Sequence, residues 1–187
     1  MRDAESLALP MPRQRHVRRR GDAALLRAVE RGDEGALAEL FQRHWPAIHR
    51  AAWLVTHDAQ AAEDIAQEAF LAALGRLDGF DRRRPLAPWL HRIVVNRAID
   101  YVRARAARRE VSAEARPEPA AEVRRALDEE TLAALARLGP DQRAVVVLRH
   151  LLGYTPGEIA ALLDMPRGTV NSRLRRALDE LAGELGE

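Results

Sequence analysis

The sequence predicts an all-α protein built as two small helical domains joined by a flexible linker. Three observations carry that class. Apolar residues recur at helical spacing through most of residues 22–109 and again through 123–187, and no alternating strand pattern interrupts them. The composition is 47% hydrophobic but only 4% aromatic and is dominated by Ala, Leu and Arg, a mixture of good helix formers. Between the periodic stretches lies EVSAEARPEPAAE, a Pro/Ala/Glu-rich tether. The resulting division is an Arg-rich arm over 1–20, a first domain over 21–109, a linker over 110–122 and a second domain over 123–187.

Taken in order, the arm MRDAESLALPMPRQRHVRRR has no helical period and is expected to be disordered. Asp22 can cap a helix carrying Leu25, Leu26 and Val29, and Asp33 a second one through Leu37, Leu40 and Phe41 that continues past Ile48, Trp53 and Leu54. A third helix is expected over Ala59 to Leu77, with Ile65, Ala66, Ala69, Phe70, Ala73 and Leu77 on its buried side. The stretch GRLDGFDRRRPLAPWL carries two glycines and two prolines, which predicts a loop over 75–88. It feeds a helix starting near Pro88 and running to about Arg109, with Leu90, Val94, Ala98, Tyr101 and Val102 facing the core.

In the second domain, Thr155-Pro156-Gly157-Glu158 has the form of a capping box, with proline at the first helical position. Ile159, Ala160, Leu162 and Leu163 supply the buried face of the short helix it opens, and Asp164-Met165-Pro166 ends that helix. Another helix starts at Gly168-Thr169, and Val170, Leu174, Ala177, Leu178 and Leu181 form its apolar side. Two short helices joined by a tight turn predict a helix-turn-helix.

Charge is distributed unevenly. Residues 21–73 hold nine acids against four arginines, whereas residues 74–109 hold ten arginines against three aspartates. Such segregation points to two different partners, one of them polyanionic. All thirty basic residues are arginine, so every cation offers the planar fork that suits phosphates and guanine edges, although a genomic bias produces the same preference. The absence of cysteine excludes disulfides and thiolate metal sites and fits a reducing compartment. No run approaches the ~18 apolar residues of a membrane span, and the basic amino terminus lacks the apolar stretch of a signal peptide. A cytoplasmic protein that does not insert into membranes is expected.

Three surfaces carry chemistry. On the third helix, the face opposite the core presents Asp64, Gln67 and Glu68 around Leu71. A leucine ringed by acids and an amide marks either a protein-docking strip or one of the singly exposed leucines common on surfaces. On the fourth helix, Trp89, Arg92, Asn96 and Arg103 share one stripe beside Arg82-Arg83-Arg84. Aromatic stacking with phosphate neutralisation suits single-stranded nucleic acid, while packing against the core is the competing role for Trp89. On the last helix, Thr169, Ser172, Arg175, Arg176 and Asp179, flanked by Asn171 and Arg173, face away from the apolar side, as major-groove readers do.

With AEDIAQEAFLAAL, PWLHRIVVNRAIDY and LGPDQRAVVVLRHLLGYTPGEIAALLDMPRGTVNSRLRRALDEL in this order, the chain resembles bacterial RNA polymerase sigma factors of the extracytoplasmic-function (ECF) subgroup over residues 22–187. The resemblance implies that the two domains are sigma region two and region four. It implies that Asp64, Gln67, Glu68 and Leu71 dock on the β′ clamp helices of core RNA polymerase, with the β subunit a further contact. Trp89, Arg92, Asn96, Asp100 and Arg103, with the loop around Phe80, would capture and help open the minus-ten promoter element. Asn171, Ser172, Arg175 and Arg176, with Thr169 and Arg173, would read the minus-thirty-five element, and Arg149 and Arg167 would hold its phosphates. An anti-sigma factor and a stress-response setting are also implied. Asn171 stands where relatives usually carry a cation, the 81–84 loop is unusually rich in arginine, and the family pattern does not account for the arm.

Two other classes compete. A free-standing helix-turn-helix regulator could share the GTVNSRL helix but would not need the acidic strip and basic stripe upstream. An enzyme is disfavoured, because His44, His49, His57, His91 and His150 lack metal-ligand spacing with carboxylates, no glycine-rich phosphate loop follows a strand, and no nucleophile sits with a base. Neither a cofactor nor a small-molecule substrate is expected.

Overall fold

The computed structural model describes residues 21–108 and 127–185, and every regular element among them is helical. The expected arm (1–20), the linker (110–122) and the first residues of the second domain (123–126) lie outside the described residues. The amino-terminal half comprises α1 (Asp22–Val29), α2 (Glu34–Thr56), α3 (Ala59–Leu74) and α4 (Leu86–Ala107), with a short 3-10 turn at Leu77–Gly79. The carboxy-terminal half comprises α5 (Glu129–Arg137), α6 (Pro140–Val146), which runs into a π-helical turn at Val147–Leu151, α7 (Pro156–Leu162) and α8 (Arg167–Leu185).

Short polar side chains set several of the starts. Asp33 accepts from the Ala36 amide, Asp58 from Ala61 and Asp128 from Thr131, each satisfying an amide that the first helical turn leaves without a partner. Thr155 and Glu158 form the complete reciprocal box predicted for α7. Asp22 does not cap: Gly21 holds the cap position of α1 without a side-chain bond, and Asp22 sits one place further in, where its carboxylate turns to Arg43 and His44 of α2. Two non-glycine residues among those described adopt the left-handed region. His57 (φ 51°) ends α2, and Asp164 (φ 50°) turns the chain between α7 and α8.

The apolar sides of α1–α4 meet around Leu25, Leu40, Ile48, Leu54, Leu90 and Val94, all essentially inaccessible to water. Burial of large aliphatic side chains at this level, worth about 1.5–3 kcal/mol each, is what holds such small bundles together. Leu135, Leu138, Val145, Leu148, Ile159 and Val170 do the same for α5–α8, and the two sets belong to one continuous cluster.

The α3 stripe is buried as predicted, but three expectations about elements need correction. First, α4 begins at Leu86 rather than Pro88, and it also buries His91, Val95 and Ile99, while Tyr101 and Val102 are only half-covered. A single-stripe reading fails because α4 packs on α2 and α3 and also meets the carboxy-terminal half. Second, α3 stops at Leu74, and Leu77 reaches the core from the following 3-10 turn. Third, Leu178 is 44% exposed. At 100° per residue it lies about 80° around α8 from Val170, outside the arc shared by Leu174 and Ala177.

Candidate nucleic-acid and protein interfaces

On α3 the alternation of buried and exposed positions leaves Glu63, Asp64, Gln67, Glu68 and Leu71 in solvent, with Leu71 66% exposed. The strip is ordered by its own side chains. Gln60 Nε2 donates to Asp64 Oδ1 (3.1 Å), and Gln67 Nε2 donates to Glu63 Oε1 (3.2 Å). Arg97 of α4 donates to Glu68 Oε2 at 2.6 Å and so fixes a carboxylate of the strip from the neighbouring helix. Asp58, besides capping α3, accepts from Tyr101 (3.1 Å) and Arg105 (2.7 Å), which ties the amino terminus of α3 to the distal end of α4. Burial, then the Asp58 carboxylate, raises the Tyr101 phenol, so it stays a donor at neutral pH.

The α4 stripe comes together as expected on one side of the helix, but its members are not equally free. Arg92 and Asp100 are exposed, while Trp89 and Asn96 are half-buried. Phe80 is only 9% exposed and lies against Trp89 with ring centroids 4.7 Å apart, so in this conformation the loop presents no free aromatic there. Arg103 is turned onto Asp141 of α6, both carboxylate oxygens lying 2.8 Å from Nη2. In the preceding loop Arg82 pairs with Glu30, the residue that follows α1, and Asp81 accepts from the Arg83 amide.

The helix-turn-helix is open on its outer side. Asn171, Arg175 and Arg176 on α8, with Arg167 at its start, are exposed. Thr169 and Ser172 are half-buried, and the Ser172 hydroxyl donates back to the Thr169 carbonyl (3.0 Å). Arg149 is exposed and reaches the Tyr154 carbonyl (3.3 Å). Arg173 departs from the set: its guanidinium turns inward to Asp141 (2.9 Å) and to the Met165 sulfur (3.5 Å), away from the outer face.

Sequence periodicity gave no hint of the contacts that join the halves. Arg143 of α6, 6% exposed, donates to the carbonyls of Leu135 (2.9 Å), Ala136 (2.5 Å) and Leu138 (3.0 Å) in its own half and of Val55 (2.6 Å) in the other. Burial lowers its guanidinium to about 10, still protonated at neutral pH. His91 Nδ1 lies 2.7 Å from the Tyr154 hydroxyl, and Asn96 Nδ2 donates to the Leu162 carbonyl (3.4 Å). The one anticipatory signal is chemical: a polar residue such as His91 inside an otherwise apolar helical run requires a polar partner.

A helix-turn-helix with an open guanidinium and amide face, beside a helical bundle carrying an acidic strip and a basic stripe, has the architecture of a helical DNA-binding protein. Two family patterns match it: sigma-70 region 2 over residues 40–108 and sigma-70 region 4 over residues 128–181. The ECF RNA polymerase sigma factor SigM of Mycobacterium tuberculosis is 38% identical over 176 residues, covering 89% of this chain and 86% of that protein. The ECF sigma-E factor of Escherichia coli is 33% identical over 178 residues, covering 86% and 92%. Among solved structures, CnrH in complex with the cytosolic domain of CnrY superposes with a TM-score of 0.65 at 31% identity, covering 88% of this chain and 97% of that one. RpoE in complex with the anti-sigma factor NepR from Bartonella quintana gives 0.66 at 26%, covering 80% and 96%. The chain belongs to the sigma-70 family as an ECF sigma factor, a subunit that directs RNA polymerase to promoters. Neither matched family is an enzyme family. No helix among the described residues is long and apolar enough to cross a membrane.

Proposed function

We infer that the two halves divide promoter recognition and that the α3 strip delivers both to the polymerase. Asp64, Gln67, Glu68 and Leu71 dock on the β′ clamp helices, Leu71 providing the apolar centre and the acids the surrounding charge. Trp89, Arg92, Asn96, Asp100 and Arg103, with the Phe80 loop, hold the unwound minus-ten strand. Stacking and phosphate contacts there offset the cost of unpairing, a few kcal/mol per displaced base. Asn171, Ser172, Arg175 and Arg176, supported by Thr169, read base edges at the minus-thirty-five element, and Arg149 and Arg167 hold phosphates. Arg173 joins them only after leaving Asp141.

Docking gives both DNA contacts one effective concentration, so two weak contacts select a promoter of matching spacing. The chain works in the cytoplasm by recruitment and strand capture, without catalysis of its own. An anti-sigma factor is a further partner, in keeping with the CnrY and NepR complexes of its structural neighbours.

The observation that carries this reading is the separation of surfaces: an open recognition helix on one half, and on the other an exposed acidic strip that no free-standing regulator requires. The test is reconstitution. Core RNA polymerase with this protein should start transcripts at defined promoters in a genomic fragment library, whereas the protein alone should bind the same duplexes weakly. Absence of any promoter-dependent transcript would remove the reading.

A further inference from the structure

We propose that His91 and Tyr154 form an acid-released latch that holds the two DNA-binding halves closed on each other. The inference rests on the division of roles above, because it concerns surfaces which that division assigns to the minus-ten element.

The closed arrangement occupies those surfaces. Asn96 is spent on the Leu162 carbonyl at the end of α7, and Arg103 on Asp141 of α6, which also draws Arg173 in from the recognition helix. A strand lying along the α4 stripe would compete with the carboxy-terminal half for the same amide and the same guanidinium. Release of that half therefore frees groups on both DNA-reading faces together.

His91 sits at this junction and tolerates no charge there. Its side chain is buried, Nδ1 is engaged with the Tyr154 hydroxyl at 2.7 Å, and Nε2 finds no acceptor among the described residues. In the protonated ring both nitrogens carry a hydrogen, and the one on Nε2 has no acceptor among the described residues. The charged groups that act on it are unfavourable. From α2 come His44 and Arg50, and the Asp22 carboxylate of α1 is spent on His44 Nε2 (3.0 Å) and Arg43 (2.7 Å). From the other half comes Tyr154, a neutral phenol pushed up to about 12 by its burial and by Glu158. On α4 itself the adjacent Arg92 is a further cation.

Burial first, then His44 and Arg50, lowers His91 to about 4 in the closed form. Once exposed to water its imidazole returns to about 6.5. A depressed value in the closed form means that closure is at full strength above pH 6.5 and weakens as pH falls toward 4. Between pH 7.5 and 5.5 the open-to-closed ratio should rise about tenfold.

The chain has no cysteine, so Glu34→Cys and Glu129→Cys, both exposed and on opposite halves, can carry a pair of distance-reporting labels in the full-length protein. The expected result is a single short distance at pH 7.5 and an approximately tenfold larger open-to-closed ratio at pH 5.5, with helix content by circular dichroism unchanged. His91→Phe, which keeps an aromatic in the site, should abolish the pH response, and His91→Gln should do so while retaining a hydrogen-bonding group. Tyr154→Phe should raise the open fraction at pH 7.5. An open distance at pH 7.5, an open-to-closed ratio unchanged between pH 7.5 and 5.5, or an undiminished pH response in both His91 variants would each overturn the latch. The measurement uses neither polymerase nor promoter, so a sigma factor with no latch would still pass the reconstitution test and fail only this one.

Discussion

The Arg143 guanidinium of α6 donates to the Val55 carbonyl near the end of α2 at 2.6 Å, and with its other nitrogens binds three carbonyls around the end of α5. A buried cation with only neutral acceptors is held by geometry rather than by charge pairing, and its removal leaves four carbonyls to find other donors. Arg143→Met keeps most of the apolar stem but loses every donor. It should lower stability by about 3 kcal/mol, read from urea denaturation. A loss below about 1 kcal/mol would mean that water replaces the guanidinium freely.

Leu71 stands 66% exposed among carboxylates, so its substitution separates docking from folding. Leu71→Arg should leave the melting temperature nearly unchanged, since exposed changes of this kind stay within about 0.5 kcal/mol. Affinity for core polymerase should fall by about 1–3 kcal/mol in a competition binding assay. Unchanged affinity would refute the docking strip.

Arg176 lies on the open side of α8, and Arg176→Ala should cost about 1–3 kcal/mol on the cognate minus-thirty-five element only. Electrophoretic or fluorescence titrations with cognate and scrambled duplexes distinguish the roles. An equal loss on both would make it a phosphate contact.

The reciprocal bonds between Thr155 and Glu158 set the start of α7 and hence the angle of the helix-turn-helix. Thr155→Ala should destabilise the protein by about 1 kcal/mol, measured by thermal unfolding. The Glu158 carboxyl is held below its usual range by bonds from the Thr155 amide and hydroxyl. Because its value is depressed on folding, the box contributes fully above the ordinary glutamate range and loses strength as pH falls through it. An equal acid sensitivity in Thr155→Ala would show that the box is not its source.

What was legible in the sequence was local. The Thr155–Glu158 box, the buried and exposed alternation from Ile65 to Ala73 and the outward face of Asn171, Arg175 and Arg176 each follow from side chains within a turn or two of one another. What was not legible depends on residues far apart in the chain. Nothing near Arg173 announces Asp141, nothing near Arg143 announces Val55, and the Tyr154 hydroxyl that engages His91 is 63 positions away. The width of the buried face on α4 has the same origin, since helical period describes one packing partner and α4 has several.

The central claim is that one polymerase-docked protein reads two promoter elements at a fixed separation, and the most direct measurement is run-off transcription from templates differing only in spacer length. Initiation should peak at one spacing and collapse when about 5 base pairs, half a helical turn, are added or removed. The Arg176→Ala protein should lose most of its advantage at that peak. Transcription indifferent to the spacer would contradict coupled reading of two elements.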